Sequence, residues 1–246
     1  MRVAALYDIH ANLPALEAVL AELAHTDVDA VVVGGDVAWG PFPAETVERL
    51  LALEETTLFV RGNADREVAA RLDASSGLDA VVAEINVWCS DRLTAAQRKW
   101  LAALPLSVDV AVTGLGDTLF CHGSPRRDDE AIEAVTPDAR IAEALAETSQ
   151  PLVVCGHTHV QLDRAAGDAR IVNAGSIGMP YEGAPGAYWA LLGPGVELRR
   201  TIYDIDDAVA RMRATACPHV EEAFVDVLLH APDRTERRRH SRGVEA

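Results

Sequence analysis

The chain has 246 residues, of which 49% are hydrophobic but only 5% aromatic, so its core must be built mostly from Ala, Val, Leu and Ile. That length suits one large α/β domain or two small ones, and the apolar share excludes a chain that stays unfolded. Acidic residues outnumber basic ones 38 to 22, for a formal net charge of −16, which argues against a nucleic-acid backbone as the main partner because phosphates would be repelled.

In chain order, RVAALY (2–7) reads as a buried strand. Residues 12–26 carry Leu16, Val19, Leu20 and Leu23 at helical spacing, with Asn12 as the cap and Pro14 in the first turn. DAVVVGG (29–35) is a second strand, residues 44–55 a second helix and TTLFV (56–60) a third strand. Short strands alternating with helices indicate βαβ units and a largely parallel sheet. Residues 64–104 read as helical in pieces, with Ser90 or Thr94 capping AAQRKWLAAL, and as a candidate cap that selects substrates. After Pro105 the pattern changes to strands at 107–113, 118–123, 152–157, 161–166, 170–175 and 186–192, interrupted by one helix near 137–148. This half is expected to form a second, largely antiparallel sheet. Helices at 204–216 and 219–231 close the fold, and the charged tail from 232 to 246 is expected to be disordered. We read residues 1–231 as one domain.

Cys89, Cys121, Cys155 and Cys217 form no CxxC pair and read as reduced thiols. The N-terminal MRVAALYDIH is too short for a signal peptide, and no stretch reaches the ~18 apolar residues of a membrane helix. The expected location is the cytoplasm.

Polar residues of metal-binding type recur where strands end: Asp8 and His10, Asp36, Asn63, His122, then His157 and His159. The carboxyl ends of strands line the ligand crevice of α/β sheets. Singly, each has an ordinary explanation: a capped strand end, a Gly-Gly-Asp turn, a left-handed asparagine, a satisfied core histidine. Five such loops together, offering Asp, His and Asn, point to metal binding.

DIH (8–10), GGDxxxxGP (34–41), GNxD (62–65), CHG (121–123) and GHTH (156–159) stand in the order of the calcineurin-like metallophosphoesterases, which this sequence resembles over residues 8–183. NAGSIGMPYEG (173–183) further resembles the bacterial, YfcE-like phosphodiesterase branch. The resemblance implies a four-layer α/β/β/α sandwich and two divalent metal ions. Asp8, His10 and His159 would hold the first, Asn63, His122 and His157 the second, and Asp36 would bridge them. Manganese is favoured, with iron, zinc or cobalt also suited to mixed nitrogen and oxygen donors. Asp36, Asn63 and His122 are the residues assigned to catalysis by a metal-bridging hydroxide. Cys121 and Cys155 adjoin ligands but read as core thiols.

The family's usual motif has histidine where this chain has Ala64, and that histidine is thought to protonate the leaving oxygen. Alanine cannot. Either substrates have good leaving groups, or Asp65, Tyr181 or water donates instead, or the chain is a scaffold like the retromer subunit of this fold. General-acid help is worth roughly 10²–10⁴-fold, so its loss favours phosphodiesters with good leaving groups over monoesters. A dinucleoside polyphosphate hydrolase or phosphoprotein phosphatase is the alternative. Asn12, Arg61, Arg66 and Arg126 are candidates for binding a small phosphorylated substrate, Asn12 also as a helix cap. Asn173 and Ser176 are placed as supports of the metal loops, and Trp39, Trp88 and Trp100 as core or pocket residues.

Overall fold

A computed structural model describes residues 1–53 and 56–233. Its strands are β1 (Val3–Leu6), β2 (Ala30–Val33), β3 (Thr57–Phe59), β4 (Ser107–Val112), β5 (Gly116–Cys121), β6 (Leu152–Cys155), β7 (Leu162–Ala166), β8 (Ala169–Asn173), β9 (Ala187–Leu192) and β10 (Val196–Thr201). The helices are α1 (Leu13–Leu23), α2 (Pro43–Leu51), α3 (Asn63–Ala70), α4 (Ala80–Arg92), α5 (Ala95–Ala102), α6 (Asp138–Ala144), α7 (Ile205–Arg213) and α8 (Asp226–His230).

The strands make two five-stranded mixed sheets, ordered β10-β9-β1-β2-β3 and β4-β5-β6-β8-β7. β1 is buried along its whole length, as a central parallel strand covered on both faces must be. Its side chains alternate between two cores. Val3, Ala5 and Tyr7 join Val32, Phe120, Val154 and Val172 between the sheets, while Ala4 and Leu6 join Leu16, Val47, Ile85 and Trp189 under the helices. β6 alternates likewise, with Leu152 and Val154 between the sheets and Val153 and Cys155 under α6 with Ile141. This is the four-layer α/β/β/α sandwich. The Tyr7 hydroxyl donates to Val154 O at 3.0 Å, tying one sheet to the other.

The second half departs from expectation. Residues 186–192 do not extend the second sheet; β9 pairs antiparallel with β1 in the first. The second sheet is mixed, because β5, β6 and β8 run parallel. β10 was not anticipated: it is an edge strand whose VELRRT sequence leaves most side chains half or fully exposed. The segment 219–231 is a π-helical turn (Glu221–Val225) followed by the short α8.

Residues 64–104 form α3, a 3-10 turn at Ala74–Ser76, α4 and α5. Thr94 caps α5 in a capping box with Gln97, whereas Ser90 lies inside α4. Val68, Ile85, Cys89 and Leu101 sink into the same apolar cluster as Leu16 and Val47, so these helices belong to the layer over the first sheet. α2 begins at Pro43; the expected end of that helix, 54–55, and the tail from 234 lie outside the described residues. Among the described residues no helix is long and apolar enough to cross a membrane.

Candidate metal centre

The loops at the carboxyl ends of β1, β2, β5 and β6, with the first turn of α3, meet at one edge of the two sheets. Asp8, His10, Asp36, His157 and His159 all have φ between 48° and 64°. Non-glycine residues rarely accept this left-handed conformation, and its clustering marks places where side-chain direction outweighs backbone comfort.

Two groups of donor atoms converge: Asp8, His10 and His159, and Asp36, His122 and His157. His10 Nε2 and His159 Nε2 are 3.0 Å apart, and Asp8 Oδ1 is 3.2 Å from His159 Nε2 and 3.8 Å from His10 Nε2. Asp36 Oδ2 is 3.8 Å from His10 Nε2 and 3.4 Å from His122 Nε2, so one oxygen faces both groups. Each carboxylate has its other oxygen fixed by a backbone N–H. His157 N donates to Asp8 Oδ2 at 2.9 Å, and Ala64 N donates to Asp36 Oδ1 at 2.8 Å. His122 Nδ1 donates to Gly34 O and His159 Nδ1 to Met179 O, both at 2.8 Å, which leaves Nε2 of each ring aimed inward.

Asp8 Oδ1, Asn63 Oδ1 and His122 Nε2 are buried with no hydrogen-bond partner among the described residues. Buried polar atoms without partners are costly, and two of these, Asp8 Oδ1 and His122 Nε2, stand 3.8 Å apart among the two groups of donors. A pair of cations would satisfy them. The donor set therefore fits two divalent metals, with Asp36 Oδ2 positioned to be shared.

Burial and the facing carboxylates pull the rings in opposite directions. Burial pushes His10 and His157 down to about 4, keeping both rings in the neutral form that binds metals. Burial opposes a charge on His122 too, but the carboxylates of Asp36 and Asp8 outweigh it and lift the ring to about 10. Burial also favours neutral Asp8 and Asp36, yet the facing histidines, His159 for Asp8 and His122 for Asp36, hold both below the ordinary carboxylate range. The carboxylates are poised for a cation.

Asp65 has a role the motif alone did not reveal. It is fully buried; Oδ1 accepts from Val37 N at 2.8 Å and Ala38 N at 3.3 Å, and Oδ2 from Gly62 N at 3.1 Å. It ties the loop carrying Asp36 to the turn carrying Asn63. Burial, and next the charge of Asp36, raise it to about 7. Two glycines permit the crowding: a Cβ on Gly62 would sit 2.1 Å from Asp36 Oδ1, and one on Gly156 2.5 Å from Asp8 Oδ2. Asn173 donates to Gly156 O at 2.6 Å and Thr158 Oγ1 at 2.9 Å. Ser176 Oγ donates to Asp8 O at 2.8 Å. Both brace the metal loops.

The substrate-binding candidates separate. Asn12 caps α1 through Ala15 N and donates to Gly178 O and Tyr203 Oη, so its amide is spent on the protein's own groups. Arg126 pairs with Glu130 and Glu143. Arg61 and Arg66 converge on Asp128, Arg66 through both Nε at 3.0 Å and Nη2 at 3.1 Å, beside Asn63 in sequence. Trp39 meets His10 edge-on at 5.6 Å and packs on Phe224, whereas Trp100 packs on Phe59 and Trp88 under Arg92. Tyr181 stacks on His159 at 5.7 Å. All four cysteines are buried free thiols, with Cys121 and Cys155 in the core under α6.

Comparison with known proteins agrees with this geometry. A metallophosphoesterase crystal structure from Sphaerobacter thermophilus aligns with a TM-score of 0.74 at 30% identity, covering 94% of this chain and 99% of that one. A hypothetical protein of Pyrococcus horikoshii OT3 has the same fold, with a TM-score of 0.79 at 22% identity over 94% of this chain and 99% of its own. An uncharacterized protein of Methanocaldococcus jannaschii is 26% identical over 237 residues, 88% of this chain and 93% of that protein. Residues 1–192, which contain every metal-type donor described above, match the calcineurin-like phosphoesterase superfamily domain, and the chain belongs to that superfamily.

Proposed function

We propose that the protein hydrolyses phosphoesters at a two-cation centre and that phosphodiesters with good leaving groups are its preferred substrates. The observation that carries the reading is the convergence of Asp8, His10, Asp36, His122, His157 and His159 in two groups, with Asn63 Oδ1 buried and without a partner among the described residues. When bound, two divalent metals acidify a shared water and neutralise phosphoryl oxygens. Asp8, His10 and His159 would hold one, Asn63, His122 and His157 the other, and Asp36 would serve both. Their mixed donors suit Mn, Fe, Zn or Co.

Among these seven side chains only Asp8 and Asp36 are anionic, so two divalent cations leave the site locally positive. That local charge draws a phosphate anion into a protein whose net charge is −16. Arg66, and Arg61 with it, supply guanidinium groups held in place by Asp128 for a phosphoryl oxygen. The preference for diesters rests on Ala64. Asp65 is no substitute acid, since its two oxygens accept from three backbone N–H groups.

Side-by-side turnover of bis-p-nitrophenyl phosphate and p-nitrophenyl phosphate with added Mn tests this. Preferential diester hydrolysis supports the reading. A clear monoester preference would overturn the substrate class, and absence of turnover on either ester with two metals bound would favour a scaffold.

A further inference from the structure

An asparagine makes an ambiguous metal ligand. Its side chain ends in an oxygen and an NH₂ group of nearly equal size, and a half-turn of the amide would present donors to the cation. Something must decide which end faces the site.

We infer that Glu67 is a positioning residue that fixes the Asn63 amide with its oxygen toward the second metal, and that Asn86 anchors Glu67 for this task. This role rests on the two-cation reading above. Glu67 lies four residues after Asn63 on α3, where side chains of the same helix face meet, and the Asn63 amide is among the groups that offset the upward push of burial on the Glu67 carboxyl. An ionised carboxylate only accepts, so the Asn63 NH₂ must face Glu67 and Oδ1 must face away. Asn63 Oδ1 is the amide atom left buried without a partner among the described residues.

The anchoring is equally specific. Asn86, fully buried on α4, donates through Nδ2 to Glu67 Oε2 at 3.4 Å. The Arg66 guanidinium stands 3.8 Å from Glu67 Oε1. Glu67 is itself 8% exposed, an unusual place for a glutamate unless its oxygens are used. The carboxylate is thus held from α4 while it holds the first turn of α3. Groups that orient metal ligands in this way are typically worth about 10–100-fold in metal affinity.

The test is Mn binding to the full chain, measured by calorimetry on wild type and on Glu67→Ala, Glu67→Gln and Asn86→Ala, with thermal unfolding of each metal-free protein. Glu67→Ala is expected to weaken one of the two ions about 10–100-fold and leave the other within about twofold. Glu67→Gln keeps an acceptor oxygen and is expected to recover most of that loss, and Asn86→Ala to show a smaller loss at the same ion. At saturating Mn the rate should return toward that of wild type. A merely structural tie between α3 and α4 would lower the unfolding temperature without separating the two ions. Unchanged affinities in Glu67→Ala, or equal loss of both ions, would overturn the inference. Should Glu67→Ala fail to fold, the selective loss in Asn86→Ala decides. A wild type that binds no metal would instead overturn the two-cation reading itself.

Discussion

The backbone N–H of Ala64 donates to Asp36 Oδ1 at 2.8 Å. This bond turns the other oxygen, Oδ2, toward His10 and His122, where it faces both groups of donors. The position is therefore needed for its main chain whatever side chain it carries. The first turn of a helix has free N–H groups to give, and here one of them orients the shared carboxylate. An alanine at this position keeps that bond, because the main chain makes it.

Restoring that group is the sharpest probe of substrate choice. Ala64→His keeps the N–H bond to Asp36 and is expected to raise turnover of phosphomonoesters with poor leaving groups by about 10²-fold. Turnover of nitrophenyl esters, which need little protonation, should change only a few-fold. Steady-state rates on phenyl and nitrophenyl phosphate read the difference. An equal effect on both would mean that leaving-group protonation is not what Ala64 altered.

Gly62 is expected to tolerate no side chain. A Cβ there would lie 2.1 Å from Asp36 Oδ1 and 2.4 Å from Asp36 N. Gly62→Ala must displace the shared carboxylate, at a cost of about 1–3 kcal/mol in stability and with loss of at least one metal per chain. Metal analysis of the purified variant and a denaturant titration check this. A variant with full metal content would show that the loop yields more easily than its packing implies.

Asp65→Ala strands the N–H groups of Val37, Ala38 and Gly62 in a buried place. Lost hydrogen bonds of this kind cost about 1–3 kcal/mol each, and partial relaxation makes about 3 kcal/mol the expected total. For a chain of this size that lowers the unfolding temperature by about 6–12 °C. Thermal unfolding of metal-free protein is the measurement, since it separates the loop tie from metal binding.

Chelation should destabilise the wild type as well. Metals that bind only the folded state add about 2.7 kcal/mol when present at 100 times their dissociation constant. Treatment with excess EDTA is then expected to lower the unfolding temperature by about 5–10 °C, reversibly on adding Mn. An unfolding temperature indifferent to EDTA and to Mn would contradict a built metal centre.

The metal-type residues were legible because each is a polar side chain just past the end of an apolar strand, where the loops of α/β sheets gather their ligands. The first βαβ units were legible for the same reason: their apolar runs stop at glycine or asparagine. The second half was harder. AYWALL in β9 is buried on every residue, and such a run reads the same whichever sheet receives it. VELRRT in β10 is an edge strand with too few buried side chains to signal itself. The partners of Asn12 and Arg126, namely Gly178, Tyr203, Glu130 and Glu143, are distant enough in the fold or generic enough in type that sequence does not show them. Glu67 left no trace in the sequence reading, since a glutamate within a helix resembles a solvated surface residue until its burial is seen.

In the proposed centre Asp36 Oδ2 serves two cations at once. Anomalous diffraction from crystals of the full chain grown with Mn tests that directly. Two anomalous peaks about 3.5–4 Å apart, one beside Asp8, His10 and His159 and the other beside Asn63, His122 and His157, with Asp36 Oδ2 between them, is the expected result. A single peak, or two that do not share Asp36, would contradict it.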